Sequence, residues 1–312
     1  MDGAIIDIKR FSLHDGPGIR STLFLKGCSL RCAWCQNPEG VDATINLWYF
    51  GNQCIHCRRC ESVCICGALL LDEEHEPFVQ INKSKCTKCG ACVASCPTGA
   101  LSFDGKSISA AAAIEVLLRD IEFYRQSGGG ITISGGDPLL QHNFSIEVLR
   151  LCKKEKVHTA VETCLYADYE VLEWFIPVTD LFIVDLKLAD DAMHREYIHR
   201  SNGVIKSNYA KLARKKVDLL TRIPLIPNIT ATESNIAALA RFIREENPGG
   251  RVELMNFNPL AVNKYVLMNR STEFFEGMKP LSMSEIEELQ KLLESEGLSV
   301  VKEHRRFRFD GR

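Results

Sequence analysis

The chain has 312 residues, 46% of them hydrophobic and 25% charged, with a formal net charge of −2, which suits one large domain or one with a small insert. That balance argues against wholesale binding to nucleic acid or a membrane surface. With no basic-then-apolar leader and no apolar run that could span a bilayer, a cytoplasmic protein is expected.

Fourteen cysteines in that setting point to metal, because cytosolic disulfides are rare and these thiols are grouped. Residues 3–11 alternate as a strand does, and the glycine-rich turn at 15–18 ends it, with His14 beside it as a hydrogen-bonded loop histidine. A β-compatible run at 21–26 leads into Gly27-Cys28-Ser-Leu-Arg-Cys32-Ala-Trp-Cys35-Gln-Asn37. A 4Fe–4S cluster normally takes four cysteines, so this loop leaves one iron open. The rival is a zinc loop, which would need a fourth Cys or His nearby, and none follows before Cys54. Trp34 is expected to shield the cluster.

Cys54, Cys57, Cys60 and Cys64 are followed by Cys86, Cys89, Cys92 and Cys96-Pro97, the doubled run of two-cluster bacterial ferredoxins, in which the fourth cysteine crosses to the other cluster. The expected sets are therefore Cys54, Cys57, Cys60 and Cys96, and Cys86, Cys89, Cys92 and Cys64. The runs form a repeat in which Cys64-Ile-Cys66-Gly-Ala-Leu aligns with Cys96-Pro-Thr98-Gly-Ala-Leu. Cys66 is a spare thiol or an alternative to Cys64. Zinc is again the rival.

A helix is expected from Ser107 or Ser109, as N-cap, to Gly128-Gly129-Gly130. Strands follow at 131–134, 157–162, 181–186, 217–223, 251–256 and 298–302, with helices at 142–156, 168–176, 190–199, 206–215, 232–246 and 283–296. This alternation implies parallel βα units, roughly six counting the strand at 21–26. The expected fold is α/β, a partial (β/α)6 barrel carrying an inserted bacterial-ferredoxin-like α+β domain. Residues 1–49 begin the barrel, 50–105 are the insert, and 106–312 complete the barrel and end in a solvated basic tail, Arg305-Arg306-Phe307-Arg308. In such folds polar residues at the C-terminal strand ends converge. These are Gly135, Gly136 and Asp137, then Glu162 and Thr163, Asp185 and Lys187, Arg222, and Asn256 and Asn258. Asp137 alone could be a helix cap, Asp185 with Lys187 an ion pair and Arg222 a surface charge; together they favour a site around the open iron. Cys152 reads as a packing residue, and Cys164, just past Thr163, as packing or as a residue that approaches the site.

From Gly16 to Asn37 the pattern Gly-x-Gly-x-Arg-x3-Phe-x2-Gly-Cys-x3-Cys-x2-Cys-x-Asn resembles the signature of the glycyl radical enzyme activating enzymes, a family within the radical S-adenosylmethionine (SAM) proteins. The resemblance implies that Cys28, Cys32 and Cys35 hold the catalytic cluster and that SAM chelates its fourth iron. Gly135-Gly136-Asp137 resembles the family's Gly-Gly-Glu, which holds the SAM amino group, with Asp one methylene shorter. Glu162 and Thr163 stand where the pyruvate formate-lyase activating enzyme has Asp-Thr, and Asp185-Leu186-Lys187 matches its Asp-Leu-Lys. These positions hold SAM and help bind a monovalent cation, expected here near Glu162 and Asp185, and Lys187 joins the three cysteines among the catalytic candidates. Arg222 matches a family arginine. Asn258 replaces a family histidine before Lys264-Tyr265, and an amide does not titrate near neutral pH as histidine does.

The implied activity is reductive cleavage of SAM to methionine and a 5′-deoxyadenosyl radical, which takes a hydrogen atom from a glycine Cα in the C-terminal loop of a large partner enzyme. Three 4Fe–4S clusters, SAM and a low-potential donor such as flavodoxin or ferredoxin follow, with the insert as an electron relay. Two other readings stand beside it. A radical SAM enzyme acting on another peptide or a small molecule, such as a sulfatase-maturing type, would usually carry its auxiliary clusters after the barrel. A multi-cluster electron-transfer protein would leave the three-cysteine loop without a purpose.

Overall fold

The computed structural model describes residues 1–268 and 270–301. Its strands are β1 (Asp2–Ser12), β2 (Arg20–Leu25), β3 (Leu47–Tyr49), β4 (Leu69–Leu71), β5 (Val79–Ile81), β6 (Leu101–Phe103) and β7 (Lys106–Ser109). They continue with β8 (Gly130–Gly135), β9 (His158–Thr163), β10 (Leu181–Asp185), β11 (Leu219–Leu225), β12 (Arg251–Asn256) and β13 (Ser299–Val300). The last residue of the strand expected at 298–302 and the basic tail lie outside the described residues.

Nine strands form one sheet in the order β13-β12-β11-β10-β9-β8-β2-β1-β7. From β2 to β13 every pairing is parallel. The segment at residues 2–12 is antiparallel to β2 and to β7, so it extends one edge of the sheet. Runs such as Leu181-Phe-Ile-Val are buried throughout, as expected of strands covered on both faces. One face packs on the helices through a large core that includes Leu23, Ile133, Phe182 and Ile223. On the other lie Ala160, Leu181, Ile183 and Leu220.

Helix starts are set by side chains that satisfy exposed N–H groups. Ser109, Asp190 and Thr232 accept from Ala112, Met193 and Asn235, and Ser282 with Glu285 forms a capping box. Ser109, not Ser107, is the cap: it is the last residue of β7 and its hydroxyl accepts from Ala112 N–H, whereas Ser107 lies two residues back in the strand as the partner of Ala4. The helix expected up to the triple glycine is broken by a 3-10 turn at Leu118–Asp120, and its second half stops at Gly128 in the left-handed conformation.

Between β2 and β7 the chain leaves the sheet and returns. Strands β3 and β6 pair antiparallel, as do β4 and β5, around a small core of their own with Leu47, Tyr49, Phe78 and Leu101. The exit and return points are tied together. Asp104 N–H donates to the Asn46 carbonyl at 2.9 Å, and Asn46 N–H donates to the Asp104 carboxylate at 2.7 Å. Fully buried Lys26 lies 3.0 Å from that carboxylate.

Candidate active site and cluster sites

The turn before β2 is held from inside the sheet. Arg20 is completely buried, donating to Thr132 Oγ1 at 2.7 Å and to the Ile131 and Pro17 carbonyls. Burial pulls its pKa down to about 10, which leaves it charged at neutral pH. Asp15 is fixed by Thr22, whose hydroxyl donates to it at 2.6 Å. This framework delivers β2 into the cysteine loop.

The loop is clasped by distant backbone. Gly27 and Cys28 donate to the carbonyls of Gly40 and Val41, and Arg31 and Ala33 to those of Ile198 and Tyr197. Trp34 is buried between the rings of Tyr197 and Phe274. From far along the chain, Lys264 binds Glu39 at 2.6 Å and the Asn37 side chain at 3.2 Å, while Tyr265 donates its hydroxyl to the Cys35 carbonyl. The sequence offered no local signal for this clasp.

At the C-terminal ends of the parallel strands lies a cavity of about 310 Å³, and Cys28, Cys32 and Cys35 all line it. Gly135, Gly136, Glu162, Thr163, Asp185, Lys187 and Arg222 join them there. The glycines are required by contact as well as by conformation. A Cβ on Gly136 would stand 2.1 Å from the Gly27 carbonyl oxygen, and one on Gly135, whose φ is +106°, 2.3 Å from the Leu25 nitrogen.

Charges along the wall are paired by register, since Arg222 lies beside Asp185 on β10 and Glu253 on β12. Its guanidinium donates to Glu253 at 2.7 Å, to Glu162 and to the His14 carbonyl; at 3% exposure it is no surface charge. Burial pushes the Glu162 carboxyl up, against the pull of Arg222, and the Asp185 and Asp15 carboxylates add to the rise. Burial works against the Lys187 ammonium, but Asp185 at 2.8 Å, with the Cys32 and Cys164 thiols, more than offsets it and the net shift is upward. A carboxylate-rich wall with one ammonium thus faces three thiols.

Two expected residues point elsewhere. Asp137 is buried outside the cavity lining, its carboxylate accepting from the Thr163 hydroxyl at 3.0 Å, the Cys164 N–H and thiol, and the Leu139 N–H. Four donors from its own protein occupy the group expected to hold the SAM amino group. Asn258 sits at the exposed start of a 3-10 turn, Pro259–Ala261, and accepts from Leu260 N–H; Met255 is the β12 residue that lines the cavity. Asn256 is tied to Leu281. Sequence reasoning missed Ser134, which donates to Glu162, and Asp15, both in the lining. Cys164 also lines it, while Cys152 is a fully buried packing residue.

Burial pushes Cys32 up to about 12 and Cys35 up to about 11, whereas the Cys164 thiol, by hydrogen bonding, holds Cys28 down. Metal ligation would deprotonate them outright. Among the described residues no three His, Cys, Asp or Glu side chains close on a single ion. Zinc gathers its ligands around one centre, while cluster thiolates bind separate irons and stand farther apart.

The folded-out segment holds two further small cavities. Cys54, Cys57, Cys60 and Cys96 line one, together with Tyr49, Phe78 and Leu101. The other is lined by Cys86, Cys89, Cys92, Cys64 and Cys66, with Leu47, Leu69 and Phe103. Each contains the set expected from a crossed fourth cysteine. Cys66 Sγ lies 3.8 Å from Cys64 Sγ, much as the Thr98 hydroxyl lies 3.7 Å from Cys96 Sγ, so the repeat extends to geometry.

Comparison with known proteins agrees with this arrangement. A 4Fe-4S dicluster domain profile matches residues 53–100, and a radical SAM superfamily profile matches residues 87–243. The chain is 38% identical to the (2S)-3-sulfopropanediol dehydratase activating enzyme of Klebsiella oxytoca, covering 85% of each chain. It is 36% identical to the benzylsuccinate synthase activating enzyme of Thauera aromatica, over 95% of this chain and 91% of that one. In fold it is similar to a radical SAM methyltransferase from Sphaerobacter thermophilus, with a TM-score of 0.50 and 14% identity over 69% of this chain and 61% of that one. With three loop cysteines facing a polar wall at the strand ends and relatives of this kind along most of its length, the chain belongs to the radical SAM activating enzymes of glycyl radical enzymes.

Proposed function

We propose that Cys28, Cys32 and Cys35 hold the cluster that binds SAM, in a partial (β/α)6 barrel, and that residues 50–105 are an inserted ferredoxin-like domain holding two more clusters. The observation that carries this reading is the sharing of one cavity by the three loop cysteines and the strand-end groups of β8 to β11. Reduced, the cluster with SAM supplies the 5′-deoxyadenosyl radical that takes a hydrogen atom from a glycine Cα of the partner enzyme.

The protein's own contribution is placement. The chain at Gly135 and Gly136 can approach closely because no side chain intervenes. Lys187, held by Asp185, offers its remaining donors to an anionic group, and Glu162 and Asp185 face the cavity with acceptors suited to an ammonium, ribose hydroxyls or a monovalent cation. Asp137 acts one step back by fixing Thr163 and Cys164. Trp34 and Leu30 exclude water from one side of the loop.

In this reading the insert relays electrons from a low-potential donor such as flavodoxin or ferredoxin, in the reducing cytoplasm. The fourteen cysteines form no disulfide with one another, and no helix among the described residues is long and apolar enough to cross a membrane. The partner is a glycyl radical enzyme. The relatives' names span a dehydratase, a lyase, a synthase and a decarboxylase at 31–38% identity, so identity does not select among them.

The test is anaerobic reconstitution, dithionite reduction and addition of SAM, with 5′-deoxyadenosine measured for wild type and Cys35→Ala. Product is expected from wild type alone, followed by a glycyl radical signal in electron paramagnetic resonance when the partner is added. Equal product from both proteins would remove the three-cysteine loop from the chemistry.

A further inference from the structure

One buried polar atom of the insert faces a cysteine cavity unpaired. Tyr49 is 9% exposed, and its buried hydroxyl has no hydrogen-bond partner of normal geometry among the described residues. The residue lines the cavity of Cys54, Cys57, Cys60 and Cys96. Burial pushes its pKa up, and the Cys54 thiol beside it adds to the rise. A neutral phenol is a donor. Left unpaired in a dry interior it is costly, and it is satisfied when what fills the cavity accepts from it.

The other cavity has no such group. Strands β3 and β6 pair Leu47 with Phe103 and Tyr49 with Leu101, and alternate residues of a strand point to the same face. Leu47 and Phe103 line the cavity of Cys64, Cys86, Cys89 and Cys92, while Tyr49 and Leu101 line the first. Each cavity thus receives one leucine and one aromatic ring from the ribbon, with the strands exchanged, and the rings differ by a hydroxyl. The other donors are matched or wet. His56 N–H donates to Cys54 Sγ at 3.4 Å, as Ala68 N–H does to Cys64 Sγ at 3.3 Å, and Thr98 beside Cys96 has its counterpart in Cys66 beside Cys64. Arg58 and Arg59 in one lining, and Thr87 and Lys88 in the other, are exposed, where water and salt screen them.

A reduced cluster carries one more negative charge than the oxidised one, so a donor aimed at its sulfur favours reduction. We propose that the Tyr49 hydroxyl donates a hydrogen bond to the Cys54 sulfur of the cluster held by Cys54, Cys57, Cys60 and Cys96. The bond raises the reduction potential of that cluster and leaves the other, with Phe103 in the matching place, unaffected. This inference rests on the two-cluster assignment proposed above, which a separate arm of the experiment tests.

The iron-loaded full chain is titrated potentiometrically, and electron paramagnetic resonance of the reduced clusters is followed at each potential. Cys60→Ala, which breaks the first set alone, identifies the signal that belongs to it. Tyr49→Phe keeps the ring and removes the hydroxyl. It is expected to lower that midpoint by about 59 mV, a tenfold change in a one-electron equilibrium, with the other midpoints in place. Electron–nuclear double resonance on protein reconstituted in ordinary and in deuterated water should show an exchangeable proton coupled to that signal in wild type and none in Tyr49→Phe. Tyr49→Leu should lower the same midpoint. Iron content and circular dichroism check that the variants are loaded and folded.

An unmoved midpoint in Tyr49→Phe would overturn the proposal, as would a common shift of all midpoints, a shift confined to the other insert signal, or a shift in Tyr49→Leu alone. An exchangeable proton that survives in Tyr49→Phe would do the same. Iron counting on Cys28→Ala/Cys32→Ala/Cys35→Ala tests the underlying assignment. About eight irons support it, and with them an unmoved midpoint removes only the role of Tyr49; about four or none would remove the two-cluster assignment itself.

Discussion

Removing the charge of Asp104 should loosen the joint between the sheet and the folded-out segment. Lys26 is 0% exposed, 3.0 Å from Asp104, and among the described residues its other acceptor is the Glu39 carbonyl at 2.6 Å. Asp104→Asn keeps an acceptor for the Asn46 N–H but leaves the ammonium in a dry interior without a counter-charge. Breaking a buried pair from one side costs about 3–5 kcal/mol. For a chain of this size each kcal/mol lowers the thermal midpoint by roughly 2 °C or somewhat more, so a fall of about 6–15 °C is expected for the iron-loaded protein at a fixed scan rate.

Lys26→Met strands the carboxylate instead and should cost a similar amount. The double variant Lys26→Met/Asp104→Asn removes both charges and should lose less than the two single variants together, with a coupling of about 1–3 kcal/mol. Circular dichroism melts of the four proteins complete the cycle. Strictly additive losses, or single-variant losses under about 1 kcal/mol, would refute the claim that this pair holds the joint. The cysteine cavities lie beyond it, so cluster absorbance should survive in all four.

Other consequences are sharper at single positions. Asp120 accepts from Arg10 at 2.7 Å and from Ser21 at 3.0 Å, and these bonds, that of Arg10 first, hold its carboxyl below the usual carboxylate range. Its folded pKa being depressed, its contribution is complete above about pH 4 and is lost as pH falls through the lower folded value. Asp120→Asn should cost about 1 kcal/mol near neutral pH, discounted because Arg10 is partly exposed, with a shrinking difference in urea melts below pH 4. Gly136→Ala would bring a methyl group against the Gly27 carbonyl, and the shift it forces should lower iron content at the loop cysteines and abolish SAM-induced spectral change, while the eight-cysteine segment stays loaded. Cys57→Ser/Cys89→Ser should slow turnover with flavodoxin as donor but spare turnover with dithionite; equal slowing with both would point to misfolding.

The chemistry-bearing groups were legible where they sit close in sequence or at strand ends. The Cys28–Cys35 loop was readable from spacing, because thiols in one tight loop cannot be far apart, and the doubled run anticipated which cysteines share each of the two insert cavities. Lys187 and Arg222 were placed by the parallel-sheet rule. What the sequence hid depends on direction. Asp137 ends its strand as expected, yet turns inward because Thr163 and Cys164, 26 and 27 residues away, supply donors there. Asn258 satisfies a local N–H two residues on, a short-range competition that asparagine commonly wins. Ser134 gave no signal, since one serine in a buried strand is unremarkable until Glu162 is folded against it. The helix at Val262–Leu267 was passed over because it is too short for periodicity to show.

The clasp on the cysteine loop also sets an order of events during synthesis. Cys28, Cys32 and Cys35 leave the ribosome early, but the Lys264 bond to the Gln36 carbonyl spans 228 residues. At about 5–20 residues per second that delay is on the order of ten to forty-five seconds. The cysteines from 54 to 96, by contrast, line cavities built from residues 47–103 and pack on that segment's own small core. Under the proposed assignment, the outlying segment can take up its iron while the rest of the chain is still being made, and the three-cysteine loop is clasped last.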